Sequence, residues 1–236
     1  MSAPAALGNE RTGALEQRLG YRFVRRGLLE EALTHSSASG RRRGRRSNER
    51  LEFLGDRVVG LVVAHLLIAR FPDEGEGGLS RRHAALVQRE TLAEVAVELG
   101  LGERLVLARS EEEGGGRANP AILADALEAV LGAVYLDGGL APAESLIRAH
   151  LSSRLDAMQA PPQDAKTALQ EWAQGRGLGL PSYEVVKIEG PAHAPHFEVV
   201  VTLADRPPAR AVGRSKRAAE RLAAAAMLGG LEPGHD

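Results

Sequence analysis

Apolar residues recur every three or four positions through most of the first 157 residues of the chain. This spacing places them on one face of an α-helix, and no alternation of apolar and polar residues interrupts it. We therefore expect this part to be all-α. Helices are predicted at about 14–19, 27–37, 47–70, 79–99, 103–110, 120–135 and 141–157.

A different pattern follows the polar, proline-bearing segment Met158–Asp164. Short runs rich in β-branched and aromatic residues, which are typical of strands, lie there between two helical patterns. The predicted order is a helix at 167–174, strands at 183–189, 196–203 and 209–212, and an alanine-rich helix at 215–228. This α-β-β-β-α order predicts a small α+β domain with helices on one face of a sheet.

The change of pattern predicts a multidomain protein with a linker between its two domains. We assign the all-α domain to residues 12–139, with a helical extension to about 157. The linker is assigned to 158–163 because it is polar and contains proline. The α+β domain is assigned to 164–233.

Two of the predicted helices carry acidic residues in apolar surroundings. Glu49, Glu52 and Asp56 lie at positions i, i+3 and i+7, which fall along one helix face. Asp125 and Glu128 form an i, i+3 pair in a helix that is apolar almost all round. If the two helices face each other, their carboxylates could hold Mg²⁺. Acidic pairs on an ordinary solvated helix surface remain the alternative.

Composition narrows the classes of protein that fit this chain. The absence of cysteine excludes disulfides and thiolate zinc sites and fits a reducing compartment. We expect a cytoplasmic protein without a membrane span, because no secretory signal is visible and the longest apolar run, 61–69, is too short. Aromatic residues make up only 3% of the chain, which argues against stacking of single-stranded bases.

The net charge of −1 hides local clusters of positive charge. One cluster is the Arg41–Arg46 run, which suits either a solvated loop or an RNA-contacting loop. Residues 164–236 contain nine Lys/Arg and nine Asp/Glu, yet Arg214, Lys216 and Arg217 gather at the start of the last predicted helix. Backbone N–H groups favour phosphate at that position, although an ordinary basic helix terminus is the alternative.

Taken together, these motifs resemble the bacterial ribonuclease III family. The resemblance in the first domain is carried by Leu33–Ser36, the signature stretch Asn48–Asp56, Ile122–Asp125 with Glu128, and Tyr135–Asp137. In the second domain, Thr167–Trp172, Gly190–His193 and Gly213–Glu220 resemble a double-stranded-RNA-binding domain. The similarity extends in family order from about Leu15 to Leu228.

The resemblance implies a homodimeric, Mg²⁺-dependent endoribonuclease, with Mn²⁺ as a plausible substitute. Such an enzyme hydrolyses double-stranded RNA to 5′-phosphate and 3′-hydroxyl ends and processes rRNA precursors and other structured RNAs, including mRNA and tRNA. The metal-binding positions implied are Glu52, Asp56, Asp125 and Glu128, with Asp56 and Glu128 as the catalytic positions. Supporting acidic positions are Glu49 and Glu76. The RNA-binding positions implied are Thr167, Gln170, Glu171, His193, Arg214, Ser215, Lys216 and Arg217.

Several alternatives remain open at the level of sequence. Glu49 also suits the positive end of a helix dipole, and Glu76 could be a solvated loop residue. Arg57 departs from the family pattern, which more often has a small residue there. A duplex-RNA-binding regulator without catalysis is the main rival function. An acidic-cluster enzyme acting on small pyrophosphates would not explain the second domain.

Overall fold

A computed structural model describes residues 13–39, 46–191 and 195–231 of the chain. It divides into two compact units, Met1–Pro162 and Gln163–Asp236. The predicted domain limits at 12 and 233, Arg41–Arg45 of the arginine run and His193 lie outside the described residues. The finer limits at 139, 157 and 163 remain a prediction. Within the described ranges, no helix combines the length and apolarity needed to cross a membrane.

The first unit is helical, as predicted. Its helices are α1 (13–19), α2 (Arg26–Ala32), α3 (Ser36–Ser39), α4 (Glu49–Arg70), α5 (Glu76–Val87), α6 (Arg89–Glu98), α7 (Arg109–Glu113), α8 (Pro120–Gly138) and α9 (Leu140–Ala157). Two short 3₁₀ turns lie at Gly102–Arg104 and Gly116–Ala118. A parallel bridge between Thr34 and Val106 is a small β contact that the sequence pattern did not indicate.

Three predicted helices differ from the structure. The helix expected over 27–37 ends at Ala32, because Thr34 forms the bridge with Val106, and the separate α3 begins at Ser36. The helix expected over 79–99 is broken at Gln88, whose extended backbone (φ −65°, ψ 151°) ends α5 and begins α6. The apolar spacing continues through the break because both helices bury a face in the same core. The helix expected over 103–110 is instead a 3₁₀ turn followed by the short α7, since Val106 pairs with Thr34.

Helix α8 is the centre of the first unit. It begins as predicted, because the Asn119 side chain accepts a hydrogen bond from the Ala121 N–H at 2.9 Å and Pro120 takes the first helical position. Eleven of its residues are buried, so that α2, α4, α6 and α9 pack around it. The contact between α4 and α8 positions the acidic residues discussed below.

Two glycines permit α4 and α8 to approach closely. A Cβ atom on Gly55 would overlap the carbonyl oxygen of Glu128, and one on Gly132 would overlap that of Leu51. The obstacle is backbone in both cases, so no side-chain rotation could relieve it. The two helices are therefore in backbone contact at the level of the acidic residues.

Asp137 holds the end of α8 to the segment that precedes α2. Its side chain is inaccessible to solvent and accepts hydrogen bonds from the Tyr21 hydroxyl (2.9 Å) and the Val24 N–H (2.8 Å). It also accepts bonds from the backbone N–H (3.0 Å) and side-chain Nε (3.1 Å) of Arg25. Burial alone would raise the pKa of Asp137, but these hydrogen bonds outweigh it and lower the pKa.

Arg82 is a buried cation that joins three parts of the first unit. Its guanidinium group donates to both carboxylate oxygens of Glu74, at 2.7 and 3.2 Å, and to the carbonyl oxygen of Met158 at 2.5 Å. It also lies over the Phe71 ring, 3.7 Å from the centroid. The residue that follows α9 is thus still held by the first unit.

The second unit has the predicted α-β-β-β-α order. Its elements are α10 (Ala165–Gln174), β1 (Ser182–Glu189), β2 (His196–Thr202), β3 (Ala209–Gly213) and α11 (Lys216–Leu231). The strands form an antiparallel sheet in the order β1-β2-β3. Val199 and Val201 of β2 are buried in one core with residues of both helices, so the helices cover one face of the sheet. Helix α10 begins two residues earlier than predicted because the Asp164 carboxylate caps it.

Candidate functional site

An acidic pocket lies where α4 and α8 approach each other. Its carboxylates come from both helices, and α6 contributes an arginine at its first residue. The residues lining it are Glu52, Phe53, Asp56, Arg57, Arg89, Ala124, Asp125 and Glu128. The structure therefore brings the two predicted acidic runs together in one place.

Three carboxylates of the pocket are close enough to share a cation. Each of Glu52, Asp125 and Glu128 offers an oxygen atom, and these atoms lie within 4.8 Å of one another. All three side chains are half-buried. In the described part of the chain, no hydrogen-bond donor or ion-pair partner contacts any of them. We call these three residues the carboxylate trio.

Asp56 lines the same pocket but lies outside the trio. Its side chain is 50% exposed, and its Oδ2 accepts a hydrogen bond from Nη1 of Arg57. The Arg57 guanidinium in turn lies over the Phe53 ring, 4.3 Å from the centroid. The helical spacing grouped Asp56 with the trio, whereas the structure pairs it with its chain neighbour.

All three carboxyl groups of the trio have raised pKa values. Burial raises the pKa of Glu128 to about 7, and neighbouring carboxylates add to this while Arg57 opposes it. Burial likewise raises the pKa of Glu52, with a further contribution from the charge of Asp125. Burial also raises the pKa of Asp125, against the opposing charge of Arg89.

These observations test whether the residues fit a divalent metal ion. Half-buried carboxylates without donors need a positive partner, and oxygen ligands at this spacing suit a hard cation. The residues therefore fit an ion such as Mg²⁺, which the ribonuclease III resemblance implies.

The two supporting acidic positions lie outside the pocket. Glu49 is the exposed first residue of α4 and accepts a hydrogen bond from Ser47 Oγ at 2.5 Å. Its charge nevertheless contributes to the raised pKa of Glu52. Glu76 is not a loop residue, as one alternative held, but the first residue of α5, where it accepts a hydrogen bond from Ser80 Oγ at 2.7 Å.

A second polar pocket lies in the other unit, between α10 and the start of α11. Four of the predicted RNA-binding residues line it, namely Thr167, Gln170, Ser215 and Arg217. The other lining residues are Asp164, Lys166, Ala218, Glu220 and Arg221. Three predicted residues, Glu171, Arg214 and Lys216, are exposed but lie outside its lining. We call this the α10–α11 surface.

Sequence reasoning missed two cations at these sites. Arg89 lines the acidic pocket, and its position depends on the break at Gln88, which no turn signal in the sequence marks. Lys166 lines the α10–α11 surface, where its Nζ lies 2.6 Å from Oε2 of Glu220. Glu220 lies 54 residues after Lys166, and no local sequence pattern indicates a contact over that separation.

Comparison with known protein families agrees with both units. Residues 25–155 match the family described as Ribonuclease-III-like, and residues 165–231 match the double-stranded RNA binding motif. The chain is 52% identical to Ribonuclease 3 of Ruegeria pomeroyi over 219 residues, which covers 93% of this chain and 96% of the relative. Against Ribonuclease 3 of Azorhizobium caulinodans, identity is 51% over 91% of this chain and 92% of the relative.

A solved structure agrees with the first unit. The nuclease domain of ribonuclease III from Campylobacter jejuni, which has structural flexibility in a region involved in dimer formation, superposes with a TM-score of 0.55. Identity is 42%, and the match covers 59% of this chain and 97% of that domain. The chain therefore belongs to the ribonuclease III family and is an endoribonuclease specific for double-stranded RNA, with a helical nuclease domain followed by a double-stranded-RNA-binding domain.

Proposed function

We propose that the acidic pocket is a Mg²⁺ site at which the enzyme hydrolyses phosphodiester bonds to 5′-phosphate and 3′-hydroxyl ends. The convergence of Glu52, Asp125 and Glu128 within 4.8 Å is the observation that carries this proposal. We place Asp56 in the same ligand set, since it lines the pocket. A bound Mg²⁺, or Mn²⁺ as a substitute, supplies positive charge for the phosphate and lowers the pKa of water.

The residues of the chain contribute proton chemistry and charge. Glu128 has a pKa of about 7, so its carboxylate can hold or release a proton near neutral pH. The Asp56 side chain is 50% exposed and lines the same pocket. It can therefore contact a phosphodiester substrate or the water molecule that attacks it. We assign catalysis to these two residues. Glu49 acts on Glu52 through its charge, and we propose only a supporting role for it and for Glu76.

We propose that the α10–α11 surface and its neighbours bind duplex RNA. A-form RNA is recognised through 2′-hydroxyl groups in its minor grooves and through the phosphates between them. Thr167, Gln170 and Glu171 on α10 offer polar groups for a minor groove, and His193 is proposed for a second one. The phosphate contacts are assigned to Arg214, Ser215, Lys216 and Arg217 at the start of α11.

We further propose that the enzyme acts as a homodimer in the cytoplasm. The exposed side of α4 carries Phe53 (65% exposed), Leu61 (61%) and Ile68 (62%). At 100° per residue these three fall within about 80° of one another, so they lie on one side of α4, which a second copy could cover. Precursors of rRNA and other structured RNAs, including mRNA and tRNA, are the proposed substrates.

The function is tested with a perfect RNA duplex of about 30 base pairs, which exceeds the ~16 base pairs that a duplex-binding domain spans. With Mg²⁺, we expect short fragments that carry 5′-phosphate and 3′-hydroxyl ends, and none in a chelator. The ends can be identified by their response to phosphatase and to a 5′-phosphate-dependent exonuclease. A single strand of the same sequence serves as the control substrate. Absence of metal-dependent fragments would favour the rival function of a non-catalytic duplex binder.

The RNA contact of Lys216 is tested by the salt dependence of duplex binding. Replacing Lys216 with Gln should reduce the magnitude of the slope of log K against log salt by about 1. The variant neutralises one phosphate fewer, so its binding releases about one counterion fewer. The matched control is Lys187→Gln, which removes the same charge from an exposed residue of β1 that pairs with Glu189. Equal changes of slope in the two variants would mean that net charge, rather than this surface, determines binding.

A further inference from the structure

Arg57 lines the acidic pocket and directly follows Asp56 in the chain. Its Nη1 donates to Oδ2 of Asp56, and the same nitrogen lies 3.4 Å from the carbonyl oxygen of Phe53. The pocket lining holds four carboxylates against two guanidinium groups, those of Arg57 and Arg89. Of these two, Arg57 is the one that forms an ion pair with an acid of the pocket.

The Arg57 guanidinium has a second contact, with the Phe53 ring. Phe53 and Arg57 are four residues apart on α4, so their side chains lie on the same face of the helix. The guanidinium carbon is 4.3 Å from the ring centroid, which is within the range of a cation–π contact. The ring can therefore retain the guanidinium when its contact with Asp56 is broken.

This pairing distinguishes Asp56 from the other pocket acid of α4. Glu52 and Asp56 are also four residues apart on α4, one turn from each other on the side that faces the pocket. Glu52 belongs to the carboxylate trio, whereas the Asp56 carboxylate accepts a hydrogen bond from Arg57. Arg57 thus competes for the one pocket carboxylate that lies outside the trio.

We propose that Arg57 is a positioning residue that acts as an internal counter-ion of Asp56 and competes with the metal for that carboxylate. Metal binding requires the Asp56 carboxylate to leave Arg57, which then remains on the Phe53 ring. Arg57 therefore sets the metal concentration at which the site fills. This inference rests on the proposed function, because it assumes that the pocket acids hold a divalent ion.

The proposal is tested by titrating Mn²⁺ into the full-length, RNA-free protein. The concentration of free Mn²⁺ is measured by electron paramagnetic resonance. Arg57→Gln should lower the dissociation constant for Mn²⁺ by about two- to fivefold, the range expected for releasing an exposed ion pair. Arg57→Lys should remain close to the parent protein because it keeps the charge. In an Asp56→Asn background, Arg57→Gln should have a clearly smaller effect, since the carboxylate for which it competes is absent and only its charge near Glu128 is removed.

A charge control lies on the same helix. Arg70→Gln removes one positive charge thirteen residues further along α4, about 20 Å away, which is more than twice the Debye length of about 8 Å at 0.15 M salt. Arg70 forms an ion pair with the exposed Asp156 and lies over the Phe71 ring, and neither partner lines the acidic pocket. We expect its variant to bind Mn²⁺ as the parent protein does.

The possible results separate this inference from the function on which it rests. If Glu128→Gln does not weaken Mn²⁺ binding, the pocket is not the metal site and the proposed function fails. If Glu128→Gln weakens binding but Arg57→Gln leaves it unchanged, only the role of Arg57 is overturned. That role is also overturned if Arg57→Gln acts equally with and without Asp56. Weaker binding of an RNA duplex to Arg57→Gln, at an unchanged Mn²⁺ affinity, would instead show that Arg57 contacts phosphate.

Discussion

Replacing Glu128 with Gln is expected to reduce cleavage of a perfect RNA duplex by at least about 10³-fold, because it removes both a proposed metal ligand and a proposed proton carrier. The substitution changes neither the size of the side chain nor the α10–α11 surface. Duplex affinity measured in Ca²⁺ should therefore stay within about twofold of the parent value. The measurement is single-turnover cleavage over a range of Mg²⁺ concentrations. Undiminished cleavage would refute the assignment of the acidic pocket.

The same substitution should also change how the free energy of unfolding of the metal-free protein depends on pH. In the parent protein, burial and the neighbouring carboxylates raise the pKa of Glu128 from 4.5 to about 7. Between these two values the folded protein holds a proton that the unfolded chain has released, so the folded state loses stability as the pH rises from 4.5 to about 7. The loss is complete about one pH unit above the folded-state pKa.

Glu128→Gln is neutral at every pH and escapes this loss. In a chelator at pH 8, the variant should exceed the parent in free energy of unfolding by about 1–2 kcal/mol, a value reduced for partial solvent screening. The gain should disappear towards pH 4.5, and added Mg²⁺ should reverse the order of stability above pH 7. Thermal unfolding at several pH values measures both effects. An equal difference at pH 5 and pH 8 would contradict the raised pKa.

Replacing Gly55 with Ala is expected to destabilise the first unit by about 2–4 kcal/mol, or about 5–15 °C in Tm. The new methyl group would overlap the backbone carbonyl of Glu128, so α4 and α8 would have to separate. Because that contact lies beside the carboxylate trio, the separation should also lower cleavage by about 10²-fold even where the protein remains folded. Gly132→Ala should have the same two effects, since its methyl group would meet the carbonyl of Leu51.

Helix α4 itself provides the control for this prediction. A methyl group on Gly60 would meet only the side chain of His83, at an ordinary distance of 3.7 Å. Gly60→Ala should therefore be neutral or stabilising by up to about 1 kcal/mol, through the higher helix propensity of alanine. If Gly55→Ala and Gly60→Ala behave alike, the close approach of α4 and α8 is not needed for stability or cleavage.

The features that sequence predicted well are those with a strong local cause. Helices α4 and α8 are long and strongly periodic, and α8 has a capping asparagine followed by proline. The acidic residues in their apolar patterns were visible for the same reason. Periodicity alone does not determine that the two helices face each other, and the glycines at positions 55 and 132 show how their close approach is achieved.

The features that sequence did not predict leave no trace in the spacing of apolar residues. The break at Gln88 leaves the apolar period intact on both sides, so the pattern could not reveal it. Arg89 reaches the acidic pocket only because of that break. The pairing of Asp56 with Arg57 depends on side-chain rotamers and on the neighbouring Phe53 ring, which periodicity does not describe.

The anchor at Asp137 has a consequence for how the chain acquires its fold during synthesis. Its partners Tyr21, Val24 and Arg25 leave the ribosome more than a hundred residues earlier, and α4 must likewise wait for α8 before it can bury its apolar face. Contacts of such long sequence separation form late. The acidic residues of α4 therefore meet their counterparts only when nearly the whole nuclease domain has been translated, so a prematurely terminated chain carries half of the acidic pocket and no completed core.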